Sequence, residues 1–270
     1  MTVAAGRLGR ALLGSYFAAL VVFLYVPLVV LVVFSFDDST IQTLPYSGFT
    51  THWFRSAFSN GDLISAIERS AVIGALCALG ATLLGLTTAV GLTARKLALR
   101  GVVTALVLLP LVVPYVVLAV GMLILLNSLG LHQALWAVLL GHVAVAVPYS
   151  ILIILPRLRT LDEDIVDAAR DLGASGFVAF RRITLPLIVP ALFSSALIAF
   201  TISFDEFAIA SFLVPAGKET YPVYVYAGAR TPALEPQIIA IGAVVIVASL
   251  VIVTAAEALR LRAERRLTQA

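Results

Sequence analysis

The sequence predicts an all-α membrane protein with about six transmembrane helices, and three observations carry that prediction. First, 61% of its 270 residues are hydrophobic and only 12% charged, with a mean hydropathy of +1.07. Soluble domains run nearer half apolar and a quarter charged, so too few polar side chains exist here to cover a soluble surface. Second, six apolar stretches reach the roughly 20 residues that a bilayer core demands, at about 12–35, 67–92, 102–126, 134–155, 187–211 and 237–259. Third, none of these alternates with period 2 as a membrane barrel strand does, which leaves helices as the spanning structure.

In the first stretch, Arg7 and Arg10 precede an apolar run from about Ala11 to Phe36. That run is too long for the core of a signal peptide, roughly 7–15 residues, and reads as a retained helix. The next connection, Phe36 to Ala66, holds turn residues at Pro45, Ser47 and Gly48, with Trp53 and Phe54 suited to an interface. On the second stretch Ala81, Gly85 and Ala89 form a row of small residues that lets backbones approach. Cys77, the single cysteine, excludes an intrachain disulfide and reads as a small buried hydrophobe. Pro27, Pro110, Pro114, Pro148, Pro186 and Pro190 can kink helices and free carbonyls toward a cavity. His142, beside Gly141 in the fourth stretch, reads as a hydrogen-bonding partner of a neighbouring helix. His52 and His132 are loop residues without ligand partners nearby in sequence, so no metal site is expected. Glu257 is expected to pair with Arg260 or Arg262 at the end of the last stretch, and the basic tail to meet anionic lipid.

Lys and Arg set the orientation. With the N-terminus inside, only Arg55, Arg69, Lys218 and Arg230 of the 18 basic residues fall outside, so both termini are expected in the cytoplasm. The basic residues sit in short clusters between apolar runs, which argues against a nucleic-acid partner.

The second cytoplasmic loop, about 157–186, is long enough to demand a function. Asp162 to Asp164 favour a helix start, Ile165, Ala168, Ala169 and Leu172 share one face, and Gly173 can cap the end. Phe177, Phe180, Arg181 and Arg182 follow before Pro186 re-enters the membrane. Two readings stand on these residues alone: a helix that docks into a partner, and an amphipathic helix resting on lipid headgroups.

The spacing Asp167-Ala168-Ala169, then Gly173, then Ile183-Thr184-Leu185-Pro186 resembles the cytoplasmic signature of ABC importer permeases, with Asp167 where that signature has Glu. The resemblance implies a type I ABC importer permease (MetI-like) fold, one permease domain over 1–270, with this loop as the coupling helix seated on a separate ATPase. Asp167, Ala168, Ala169, Gly173, Phe177, Ile183, Leu185 and Pro186 become the ATPase-coupling residues. It further implies a second permease, which forms a heterodimer with this chain, and an external solute-binding protein. ATP and Mg are expected on the partner ATPase and no cofactor in this chain. Gly217-Lys218, followed by Glu219, lacks the upstream glycine of a P-loop, so the chain is not expected to be an enzyme.

Ser203-Phe204-Asp205-Glu206 is the sharpest polar feature, because a carboxylate at a helix centre costs about 2.5–3.5 kcal/mol on insertion. It reads either as the outer end of the fifth helix or as an acidic patch on the path of a cationic solute. Residues 200–212 with 221–226, and the Phe-Ser-Phe-Asp ending of helix one, resemble spermidine/putrescine permeases. That resemblance implies a polyamine importer of the bacterial inner membrane, with Ser203, Phe204, Asp205 and Glu206 on the substrate path. Ferric-ion, thiamine and aminophosphonate importers have similar permeases and give the alternative solutes. An ATP-independent channel or secondary transporter is the alternative machinery, and it would leave the spaced motif unexplained.

Overall fold

The computed structural model describes residues 7–40, 44–93, 100–231 and 234–268. These are helical almost throughout, with one isolated antiparallel bridge, Asp37 to Phe49. They group into two compact units: one of Met1–Ile64 with Val225–Ala270, the other of Ser65–Tyr224.

In the first unit α1 (Arg7–Phe34) is apolar all round and exposed along most of its length, as a lipid-facing helix is. The chain then turns back on itself. Phe36 stacks on Phe49 at 5.3 Å and meets Phe54 at 5.0 Å, while Trp53 Nε1 donates to the Asp37 carbonyl at 2.9 Å. Trp53 and Phe54, expected at the membrane interface, are thus partly engaged in packing the segment just after α1. α2 (His52–Ser59) packs on α12 (Glu235–Thr268), as does α1. Asn60 donates from Nδ2 to Gln237 Oε1 at 2.9 Å, tying the two parts of this unit.

α3 (Gly61–Thr93) starts six residues before the expected 67. Asn60 accepts from the Leu63 N–H at 3.1 Å, and Asp62 lies in the first turn, where the helix dipole favours it. Gly85 lies against α6 (Leu135–Arg159), where a Cβ would stand 2.5 Å from Ser150 Cβ. Ala81 and Ala89 on the same row are fully buried. Cys77, Ala78 and Ala81 pack with Ala146 and Ala199 in one cluster of small side chains. Gly85→Val is expected to overpack this contact by about 1–3 kcal/mol and lower the thermal midpoint in detergent. Gly91→Ala, with nothing within 4 Å of a new Cβ, should instead stabilise by about 0.5–1 kcal/mol.

Two expected spans are broken. The third, 102–126, is two helices, α4 (Arg100–Leu108) and α5 (Tyr115–Ser128), joined by a 3-10 turn at Leu109–Leu111 and bent by 97°. Pro110 and Pro114 remove two amide donors there, so the α ladder cannot run through. The fifth, 187–211, starts earlier and ends sooner. α8 (Gly176–Ala179), a π turn at Phe180–Thr184 and α9 (Leu185–Phe204) form one helix of 29 residues, and α10 (Ala208–Leu213) is separate. α6 extends four residues beyond the expected 155, and its last turn carries Arg157 and Arg159. Its C-terminal end holds α9, because Arg157 Nη2 donates to the Leu187 carbonyl at 3.3 Å.

By length and composition α1, α3, α6 and the Gly176–Phe204 helix can each cross a bilayer, and the bent pair makes a fifth span if counted as one. The sixth expected span falls on α12, whose described apolar run is Glu235–Ala248. The expected pairing of Glu257 with Arg260 or Arg262 rests on side chains that are not described, and the loop at Arg95 and Lys96 lies outside the described residues.

Candidate functional sites

The long loop expected on the cytoplasmic side is a helical hairpin. Asp162 Oδ1 accepts from the Asp164 N–H at 3.0 Å and starts α7 (Glu163–Asp171). Leu172 ends it, and Gly173 follows with a left-handed φ of +88°. The Gly173 N–H donates to the Arg170 carbonyl at 2.8 Å and the Ala174 N–H to Ala169 at 3.0 Å, the pair of bonds that defines a Schellman end. Gly173 is therefore the residue after the cap, placed by its backbone conformation. Ser175 then caps α8 by accepting from the Val178 N–H at 3.3 Å.

This hairpin gathers Asp167, Ala168, Ala169, Gly173 and Phe177 at one tip. Leu172 is 90% exposed and Phe177 71%, with Ile165 exposed beside them, a cost that a monomer in water does not recover. Asp167 is paired with Arg170 at 3.3 Å, both exposed, so little energy holds that pair. Ile183, Leu185 and Pro186 lie instead at the root, around the π turn, with the Leu185 N–H bonded to the Phe180 carbonyl five residues back. The wider turn accommodates Pro186, which has no N–H and whose ring would crowd an α-helical carbonyl.

The acidic motif ends α9. Ser203 and Glu206 are buried while Asp205 is exposed, so the two neighbouring carboxylates differ in their access to solvent. Glu206 accepts from the Ile209 N–H at 3.0 and 2.8 Å and from the Ala210 N–H at 3.1 Å, satisfying the first amides of α10. His142 reaches the same corner from α6. Its Nδ1 is 2.7 Å from Ser203 Oγ, and its Nε2 stands 3.3 Å from Glu206 Oε2, an electrostatic contact without hydrogen-bond geometry. Phe204 stacks between Phe200 and Tyr221, each at 5.7 Å. Asp205 opens on a cavity of about 410 Å³ lined also by Tyr115, Thr201, Ile202, Glu206 and Phe207.

Asp205 and Glu206, expected as one acidic patch, both line this cavity, Asp205 exposed and Glu206 buried. Tyr115, whose hydroxyl lies 3.3 Å from that of Tyr149, is a cavity residue that the sequence reading does not single out. The available signal is Pro114: a helix restarting after proline puts its first side chain at a corner. Nor does the sequence connect His142 with Glu206, which the fold brings together. Among the described residues no three His, Cys, Asp or Glu side chains are grouped to hold a metal ion.

Residues 81–269 match the family model described as binding-protein-dependent transport system inner membrane component. The chain is 31% identical over 250 residues to the spermidine/putrescine transport system permease protein PotC of Escherichia coli (strain K12), covering 93% of this chain and 94% of that one. It is 35% identical over 257 residues to the putrescine transport system permease protein PotI of the same strain, covering 90% and 89%. Among solved structures it is similar to a bacterial ABC transporter involved in import of the acidic polysaccharide alginate, with a TM-score of 0.72 at 12% identity over 96% of this chain and 98% of that one. The alginate transporter in complex with its alginate-bound periplasmic protein gives a TM-score of 0.70 at 19% identity, covering 91% of both. Helical spans, the cytoplasmic hairpin and these matches agree: the chain belongs to the binding-protein-dependent transport system inner membrane components, as a multi-pass permease subunit of an ABC importer.

Proposed function

We propose that this permease forms half of the translocation path of an ATP-driven polyamine importer, with the whole chain acting as one permease domain. The observation that carries the solute is Asp205, an exposed carboxylate beside aromatic Tyr115 and Phe207 at a cavity in the wall of the helix bundle. A carboxylate with aromatic neighbours suits an ammonium group, through charge and the negative faces of the rings. Identity of 31% and 35% to permeases named for spermidine and putrescine supports the same solute class. The fold by itself does not choose it, since the similar alginate transporter is named for an acidic polysaccharide.

The hairpin tip of Asp167, Ala168, Ala169, Gly173 and Phe177 docks on a separate ATPase, which binds ATP and Mg. Its exposed Leu172 and Phe177 favour a protein groove over a headgroup layer, because basic residues that would meet anionic lipid are absent from α7 apart from Arg170. Ile183, Leu185 and Pro186 shape the root that carries the tip. A second, different permease completes the pore, and an external solute-binding protein delivers the solute. Both termini lie in the cytoplasm of a bacterial inner membrane, surrounded by lipid.

The test is co-expression of the tagged chain with its neighbouring genes, followed by reconstitution into vesicles. Recovery of an ATPase, a second permease and a solute-binding protein, with ATP-dependent spermidine or putrescine uptake, is the expected result. The same assembly moving a neutral or anionic solute overturns the polyamine assignment. A chain that purifies alone and transports without ATP overturns the ATPase coupling.

A further inference from the structure

Two buried side chains, Ser203 and Glu206, flank Phe204 and Asp205, and one imidazole touches both. His142 is 1% exposed on α6. Its Nδ1 shares a 2.7 Å hydrogen bond with the Ser203 hydroxyl, and its Nε2 stands 3.3 Å from Glu206 Oε2 in an electrostatic contact. The neighbouring Gly141 lets Ile209 of α10 come in so close that a Cβ there would stand 2.6 Å from Ile209 Cγ2. α6 thus holds the end of α9, the start of α10 and the carboxylate that joins them. Between those ties the Asp205 N–H still closes the last turn of α9, donating to the Thr201 carbonyl at 3.2 Å.

We propose that His142 is a positioning residue of the acidic site: by holding Ser203 and Glu206 it locks the corner between α9 and α10 and keeps the Asp205 carboxylate turned into the cavity. The geometry follows from the chain itself. With residues 203 and 206 buried against one ring, the intervening helix end leaves Asp205 as the exposed carboxylate of the cavity that Glu206 also lines. Glu206 is then the strut of the corner and Asp205 its working group. For its effect on uptake this inference rests on the proposed role of Asp205, while the positioning itself rests on the geometry.

The two are separable by labelling. In a Cys77→Ala chain within the assembled transporter, Asp205→Cys is exposed to a cationic, membrane-impermeant methanethiosulfonate. The introduced thiol should label readily with His142 present. His142→Ala should change the labelling rate by about fivefold or more, the population change that matches one lost hydrogen bond, and His142→Gln, whose amide can still donate and accept, should restore it. Ser203→Ala, which removes one tie and leaves the ring in place, should give a smaller change in the same direction and serves if His142→Ala fails to assemble. Unchanged labelling in every variant that assembles overturns the proposal, as does an introduced thiol that never labels. If labelling responds to His142 while Asp205→Asn transports polyamine normally, the corner stands and the polyamine path fails.

Discussion

Replacing Gly173 by Asp is expected to cut ATP-driven uptake by more than about tenfold while the chain still inserts and accumulates normally. The left-handed φ of +88° costs a residue with a Cβ about 1–2 kcal/mol. A carboxylate just beyond the end of α7 adds about 0.3–1 kcal/mol of unfavourable interaction with the helix dipole. No atom lies within 4 Å of the new Cβ, so the membrane core does not register the change. The whole penalty falls on the turn that carries the exposed docking tip. Uptake and ATP hydrolysis measured on equal amounts of assembled protein decide it: normal uptake would remove the hairpin from the coupling machinery. Gly173→Ala bears the backbone cost alone and should fall between.

Asp205→Asn is expected to raise the KM for polyamine uptake by about tenfold, the loss of one charge-assisted contact to an ammonium group, at an unchanged level of folded protein. The isosteric amide preserves the helix end, because no described hydrogen bond within the chain depends on the Asp205 carboxylate oxygens. Glu206→Gln is the contrasting case. Its carboxylate accepts from two backbone amides inside the fold, so its loss should lower the yield of folded protein first. Comparing uptake per folded molecule for the two variants separates path from strut. Equal KM values for Asp205→Asn and the parent would exclude Asp205 from solute contact.

Most of the fold was legible because bilayer spans announce themselves by length and apolarity. α1, α3, α6 and the helix containing α9 each fall where an apolar run does. The departures have local causes. Hydropathy does not register the missing amides of Pro110 and Pro114, so one apolar run covered two helices at 97°. It likewise did not register that Glu206 can end one helix by capping the next, which requires knowing that His142 stands opposite, 64 positions earlier in the chain. The hairpin was readable in detail, Gly173 included, because helix starts and ends are decided by residues a few positions apart. The cavity was not, since Tyr115 and Asp205 meet only through tertiary packing.

The helix from Gly176 to Phe204 is unbroken over 29 residues, about 43 Å at 1.5 Å per residue. Its N-terminal end adjoins the hairpin and its C-terminal end is capped by Asp205. Such a rod is a lever: a tilt of about 5° about one end sweeps the other through roughly 4 Å over that length. That is comparable to the size of an ammonium group, so on the proposed role of Asp205 a small rotation at the hairpin end is expected to open or close the carboxylate's access to a cation. The π turn at Phe180–Thr184 and Pro190 within α9 are places where such a lever can yield, so on the proposed coupling their stiffness is expected to govern how much of a push on the hairpin arrives at Asp205.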